Sequence, residues 1–485
     1  MSTPTSTAPV AGAPPRPSGG TKRLLRRLHF YAGVVVAPFL LIAAISGGLY
    51  ALAPTAEQVI YRAQLTTDST GPAQSLAEQT AAAVAYRPDL TVSAVRPATE
   101  PGRTTRVLFN DPSLPESTRL AVFVDPETLR IAGELPSYGS SGSLPVRTWI
   151  DGLHRDLHLG EPGRLYSEFA ASWLWVIALA GLGLWIAAYR RRRRAHGSAR
   201  LATVDRTARG RARNTSRHAV LGVWIIVALV FLSATGLTWS RFAGENVTQL
   251  RAALHWTQPV TDTQLTAADG GDTGTAQGDH GGHGDHGGGA TGASSDKELA
   301  ADNAGYVDTA LALARSEGIG RTDAVEISIP AQPDTAFTVT EVRAPWQFSP
   351  NTAVVDPAAD RVVAVNWFAD WPRAAQLANL GIALHMGVLF GLINQLVLFA
   401  VAAALVAIIV LGYRMWWQRR PRGSARPGRA PAPGALRSLP WPAVAVIAVV
   451  AAAVGWFIPL LGWPLLAFLT VDVAAGLWRR RARES

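Results

Sequence analysis

The sequence predicts a helical membrane protein carrying two folded α+β regions on one side of the bilayer. Three observations predict it. Hydrophobic residues make up 48% of the 485-residue chain and gather in unbroken runs instead of recurring with a helical or strand period. Runs at 30–52, 166–189, 219–240 and 380–413, with shorter ones at 441–460 and 462–478, match the ~20 apolar residues that cross a hydrocarbon core of about 30 Å. Between them lie two long stretches, about 53–165 and 241–379, of mixed polarity and strand-like alternation.

The basic flanks orient these spans. Lys22, Arg23, Arg26 and Arg27 precede the first, Arg190 to Arg194 follow the second, Arg217 precedes the third, Arg414, Arg419 and Arg420 close the fourth, and Arg479 to Arg481 close the last. The positive-inside rule makes all of them cytoplasmic, which alternating spans also require. The expectation is a multi-pass protein of the cell membrane with both termini inside. Ala51-Leu52-Ala53 resembles a signal-peptidase site, but the run before it exceeds a typical h-region, which favours a retained anchor.

The organisation read from these flanks is a disordered tail (1–21), a first span (22–52), an outer module (53–152), a second span (153–189) and a basic cytoplasmic loop (190–217). A third span (218–240), a second outer region (241–379), a fourth span (380–417), a basic linker (418–440), a terminal helix pair (441–478) and a short tail (479–485) follow.

Charge and cysteine usage exclude several classes. The excess of 45 Lys+Arg over 35 Asp+Glu sits in clusters beside apolar runs and covers no single domain, so nucleic acid is not the expected partner; the bilayer is. With no cysteine, disulfides, iron–sulfur clusters, thiolate ligation and covalent haem attachment are all removed. Metal chemistry must fall to histidine and carboxylates.

Each outer region begins with a helix and continues in strands. Ser75 to Tyr86 reads as helical, with strands at Val92–Val95, Thr105–Phe109 and Leu120–Val124; Ala300 to Arg315 is the second helix, with strands at Ala324–Ile329, Ala336–Val342 and Ala353–Val355. The segments AVFVDPETLRIAGEL (121–135) and NTAVVDPAADRVVAVN (351–366) both run a strand into Asp-Pro, a turn and a second strand. The chain thus reads as a duplicated unit of helix pair plus α+β module. Gly also recurs shortly before an aromatic residue in the spans, as Ser46-Gly47…Tyr50, Ala180-Gly181…Trp185, Thr235-Gly236…Trp239 and Leu411-Gly412…Trp416. Close helix packing with interfacial aromatics accounts for these.

Of the ten histidines, His29 and His218 lie at the cytoplasmic mouths of the first and third spans, and His154, His158 and His385 at the outer ends of the second and fourth. One pair per membrane face is the pattern expected of two b-type haems, each held by imidazoles from facing helices. A lone histidine at a helix end would simply meet headgroups, but this placement asks for function. His154 and His158, spaced i, i+4, can share a helix face, and only one of them would pair with His385. Arg26 and Arg217 inside, and Arg155 and Arg164 outside, are candidate contacts for haem propionates. His196 and His255 are uncommitted. The loop QGDHGGHGDHGGGATGASS (277–295) adds His280, His283 and His286 with Asp279 and Asp285, a candidate low-affinity transition-metal binder or a low-complexity insertion.

At these residues the chain resembles the PepSY-associated transmembrane helix family. The matching pieces are LHFYAGVVVAPFLLIAAISG (28–47), LHRDLHLGEPGRLYSEFAASWLWVIALAGLGLW (153–185), RHAVLGVWIIVALVFLSATGL (217–237), LHMGVLFGLINQLV (384–397) and GYRMWW (412–417). The resemblance covers about 22–420 and implies a four-helix core binding two b haems, two extracytoplasmic PepSY-like α+β modules, and, for some members, reduction of ferric siderophores. His29, His154, His218 and His385 fall where the family has histidine, whereas His158 takes a place usually apolar, so the resemblance favours His154 as ligand. The His/Asp/Gly loop and the two C-terminal helices (441–478) are departures from the family pattern.

The function expected is therefore electron transfer across the membrane by an oxidoreductase of the ferric-reductase type, releasing iron because Fe(II) suits hard oxygen donors poorly. No Gly-rich dinucleotide fingerprint follows a strand, so a quinol or a separate reductase must be the donor. The competing readings are a non-enzymatic binding or regulatory protein and a handling factor for copper or another metal.

Overall fold

The computed structural model describes residues 20–69, 71–196, 202–265, 290–420, 430–433, 435–436 and 439–484. Its helices are α1 Gly20–Val35, α2 Ala37–Ile60, α3 Arg62–Leu65, α4 Leu76–Tyr86, α5 Pro145–Asp156, α6 Glu161–His196, α7 Gly210–Leu237, α8 Phe242–Ala253, α9 Ala290–Asn303, α10 Val307–Ser316, α11 Arg373–His385, α12 Gly391–Trp417, α13 Trp441–Phe457 and α14 Pro459–Glu484. Among the described residues five helices are long and apolar enough to cross a membrane: α2, α6, α7, α12 and α14; α13 is a shorter apolar helix.

The chain divides into two compact units. One comprises residues 1–40, 169–233 and 407–485; the other comprises 41–168 and 234–406.

The first unit is helical throughout its described residues. α1 passes into α2 with a single irregular residue, Val36, whose N–H still donates to Ala32 O. Pro38, which carries no amide hydrogen, explains the interruption. The terminal hairpin α13–α14 turns where Gly455 and Gly462 approach so closely that an added Cβ on either would meet the other's backbone within 2.8 Å. It is fastened to α1 by an ion pair between Arg27 and Asp472 at 2.6 Å, both side chains almost fully buried. Arg27 Nη1 also donates to Pro431 O, and Trp173 Nε1 donates to Leu460 O. The C-terminal addition is thus an integral part of this unit.

The second unit holds all the strands: β1 Thr91–Arg96, β2 Thr105–Asn110, β3 Thr118–Val124, β4 Ile131–Tyr138, β5 Val325–Ser328, β6 Phe337–Glu341, β7 Thr352–Asp356 and β8 Arg361–Asn366. The expected helices and strands are present, but the two modules are not separate bodies. Their strands form one eight-stranded sheet in the order β4-β3-β2-β1-β5-β6-β7-β8. The seam pairs Ala94 with Ser328 and Val95 with Ile327, antiparallel. Arg96 and Arg119 both reach Glu326 across it, so a carboxylate that burial would push up is held below its usual range by two guanidiniums. Asp308 of α10 accepts from the Leu76 and Ala77 N–H groups, closing the N-terminus of α4, which also has a capping box between Ser75 and Glu78. α4 and α10 cover one face of the sheet, over Val95, Val107, Phe109, Val122, Ile327, Val339 and Val355. Ala94, Leu108, Ala121 and Phe123 point to the other face, against Leu65 and Leu144, as the two-residue alternation of a strand dictates.

The Asp-Pro turns work as expected. Asp125 accepts from the N–H groups of Glu127 and Thr128 and from the hydroxyls of Thr67 and Ser69. Asp356 accepts from the Ala359 N–H and from Arg361 Nε.

Two expected spans are each broken. The stretch from 153 to 189 is divided between α5 and α6, and that from 380 to 417 between α11 and α12. Leu157, His158 and Gly160 take positive φ at the first break, Gly387 and Gly391 at the second. α5 and α11 are separate short helices, each delivering a histidine at or near its end.

Candidate histidine sites

In the first unit, His29 of α1 and His218 of α7 face each other with ring centroids 6.0 Å apart and ring planes 80° apart. His29 Nδ1 donates to Ile177 O at 2.9 Å, and His218 Nδ1 donates to Ile408 O at 3.0 Å. A carbonyl can only accept, so each ring carries its hydrogen on Nδ1 and keeps an Nε2 lone pair. This is the second-shell device that orients a metal-ligating imidazole and raises its basicity.

In the second unit, His154 Nδ1 lies 3.0 Å from the Ser46 hydroxyl. Ser46 donates its own hydrogen to Ile42 O, so it accepts from His154. The Thr235 hydroxyl stands 2.6 Å from His385 Nδ1, and Trp239 meets the His385 ring edge-on at 5.5 Å. His385 lies within electrostatic reach of His154.

The recurrent glycines serve these rings. A Cβ on Gly47 would meet the His154 ring at 2.9 Å, one on Gly181 would meet His29 at 3.0 Å, and one on Gly412 would meet His218 at 3.8 Å. Ile177 and Ile408, whose carbonyls accept from the imidazoles, each lie four residues before such a glycine, and Ser46 and Thr235 one residue before theirs. Close helix packing is thus part of the account of these glycines: Gly47 and Gly181 also leave room for imidazoles, and Gly412 lies in ordinary contact with one. Sequence reading missed the seats although their repetition was visible.

The residues present fit a metal held between paired imidazoles. With metal–nitrogen bonds of about 2 Å each, two rings on opposite sides of one iron have centroids roughly 6 Å apart, close to the His29–His218 separation. All four rings are only partly covered, and none of their nitrogens is among the buried polar atoms that lack a partner. Each Nε2 accordingly opens onto space.

The other candidates divide. His158 does not share a helix face with His154: α5 ends at Asp156, and His158 follows at φ 54°, exposed, with its ring beside Trp149. Arg155 is engaged by Tyr138, Asp151 and Asp156. Arg164 reaches Trp239 O at 3.5 Å, while Arg26 and Arg217 are exposed. His255 sits exposed beyond α8, and the side chain of His196 lies outside the described residues. His280, His283, His286, Asp279 and Asp285 also lie outside them, and the described residues contain no group of three or more His, Asp or Glu placed to hold a metal ion.

Fold and site together define a polytopic helical membrane protein with a fused α+β sheet domain and paired intrahelical histidines. The model of the PepSY-associated TM region matches residues 26–419, and the chain belongs to that family. No curated protein matches it.

Proposed function

We propose that this chain is a b-type haem protein that carries electrons across the membrane to an acceptor on the side of the sheet domain, with ferric siderophore as the substrate class. The observation that carries the reading is the His29–His218 pair, whose 6.0 Å ring separation and two carbonyl-bound Nδ1 atoms leave two Nε2 lone pairs for one metal. Haem bound at such a pair supplies one-electron redox chemistry without a proton requirement. The residues of this chain do the rest. His29 and His218 form one station and His154 and His385 the other, while Ile177, Ile408, Ser46 and Ala43 accept from the Nδ1 atoms of the first three rings and Thr235 meets that of His385, which turns each Nε2 side toward the ligand. Electrons enter at the basic-flanked station from a quinol or a separate reductase and leave at the station beneath the sheet. A ferric complex loses its grip on iron once reduced, because the hard oxygen donors suit Fe(III) far better than Fe(II).

The test is a pyridine haemochrome assay on protein purified from membranes, followed by proteoliposomes with trapped reductant and external ferric siderophore. Two non-covalent haems per chain and external ferric reduction are expected, with the rate collapsing in His29→Ala and in His385→Ala alike. A preparation without a Soret band would refute the proposal. Reduction of external cupric ion but not of ferric complexes would keep the relay and replace the substrate.

A further inference from the structure

Two arginines in the second unit bury an Nε that nothing accepts from. Arg147 of α5 is 5% exposed, and its Nε has no hydrogen-bond partner. Its Nη2 makes only a long 3.5 Å approach to the Tyr50 hydroxyl, and the guanidinium lies 5.5 Å from the centre of the same ring. Arg343, on the loop after β6, also buries an Nε that nothing accepts from. Glu57 and Asp151 lend Arg147 negative potential, but neither forms an ion pair with it, and Glu57 already accepts from the Leu144 N–H at 2.6 Å. A buried cation so poorly matched is costly unless an anion completes it.

Their positions say which anion. Arg147 precedes His154 by seven residues in one helix, so both lie on the same face, separated by about 10 Å of helical rise. Tyr50 stands one turn beyond Ser46, the residue that accepts from His154. The Arg343 loop is seated on the turn after His385: the Trp346 N–H donates to Leu389 O, and Pro345 packs on Gly391. Arg343 also lies within electrostatic reach of Tyr50.

We propose that Arg147 and Arg343 hold the two propionate carboxylates of the haem ligated by His154 and His385. This rests on the haem reading above. It also replaces Arg155, whose donors are taken up by Tyr138, Asp151 and Asp156. Guanidinium is suited to the task because its planar donors meet a carboxylate in pairs, which an ammonium cannot do.

The experiment uses full-length protein in detergent, with Arg147→Gln, Arg343→Gln and Arg147→Lys variants, and reads haem transfer to excess apomyoglobin together with a redox titration. The component belonging to the second unit is identified as the one missing from His385→Ala. In both Gln variants that component should transfer at least about tenfold faster, the effect of losing a charge-assisted hydrogen bond. Its midpoint potential should fall, since an uncompensated carboxylate favours ferric iron, and Arg147→Lys should recover the potential better than the haem retention. The other component should not move. Arg343 sits on a loop, so its variant keeps the question open to an answer even where Arg147→Gln does not fold. Two haems in the parent with unchanged retention and potential in Arg343→Gln would overturn the propionate site and leave the haem reading standing; a parent with no haem would overturn both. If the variants keep both haem properties but need more ferric complex for half-maximal rate, the arginines serve the external anion, and the proposal is wrong.

Discussion

The two histidine pairs are built alike in their first contacts and differently in what stands behind them. In the first unit the Nδ1 hydrogens go to main-chain carbonyls alone, those of Ile177 and Ile408; in the second, His154 meets the Ser46 hydroxyl as well as the Ala43 carbonyl, and His385 meets the Thr235 hydroxyl. The residues before the seat glycines explain the difference. Ala180 and Leu411 offer no polar atom, whereas Ser46 and Thr235 place an oxygen beside the glycine, which at His154 adds to the carbonyl one turn back. A carbonyl cannot be removed by substitution and can only accept. A hydroxyl can be changed, and it can donate or accept. The first pair is therefore fixed by the backbone alone, and the second is further open to tuning through Ser46 and Thr235.

The strongest way to break this comparison is to remove a ligand from each pair. His218→Ala and His385→Ala should each abolish one of two spectroscopically distinct haem components, and a different one; loss of the same component in both would show that the pairing is wrong. The seat glycines come next. Gly47→Ala places a methyl 2.9 Å from His154 and should cost the second component most of its occupancy, because the ring it displaces is a ligand. Gly412→Ala meets His218 only at 3.8 Å and should be tolerated, as haem stoichiometry of the two purified variants will report.

A smaller effect sharpens the contrast. Thr235→Val takes the hydroxyl away from His385 Nδ1, whereas Ser46→Ala leaves His154 the Ala43 carbonyl and should act less; losses of a metal ligand's supporting partner run to roughly 10–100-fold in affinity. Redox titration should show the second component shifted and the first unmoved. The smallest expected effect is that of His158→Ala. Its ring is exposed beside Trp149, so the haem spectrum should match the parent's, and loss of the second component in place of that seen in His154→Ala would reverse the assignment.

Which of these features could be read from residues alone follows from their range. The spans, their basic flanks and the helices and strands of both α+β regions rest on local periodicity, and the histidines stand out by position. The breaks after α5 and α11 were also written in the chain, as Gly160 with Pro162 and as Gly387 with Gly391; a positive-φ glycine or an early helical proline ends a helix whatever the apolarity around it. Treating these stretches as unbroken put His158 on a helical face that it does not occupy. Fusion of the two modules was not legible, because the β1–β5 pairing joins strands more than 200 residues apart through short segments with no distinguishing pattern. Arg147 escaped notice for a different reason: it lies outside the basic clusters, and burial of its charge is visible only once α5 is folded against Tyr50.

The duplicated order of the chain has a consequence for how such a molecule is assembled. His29 rests on Gly181 and His154 on Gly47, both within the first repeat; His218 rests on Gly412 and His385 meets Thr235, both within the second. Every imidazole is thus seated by its own repeat and opposed by a ring of the other. Each repeat is a finished half-site twice over, able to orient two histidines yet unable to offer both sides of a metal at either. Severed between His196 and Gly210, the two halves of the present chain should still copurify, held by the β1–β5 seam.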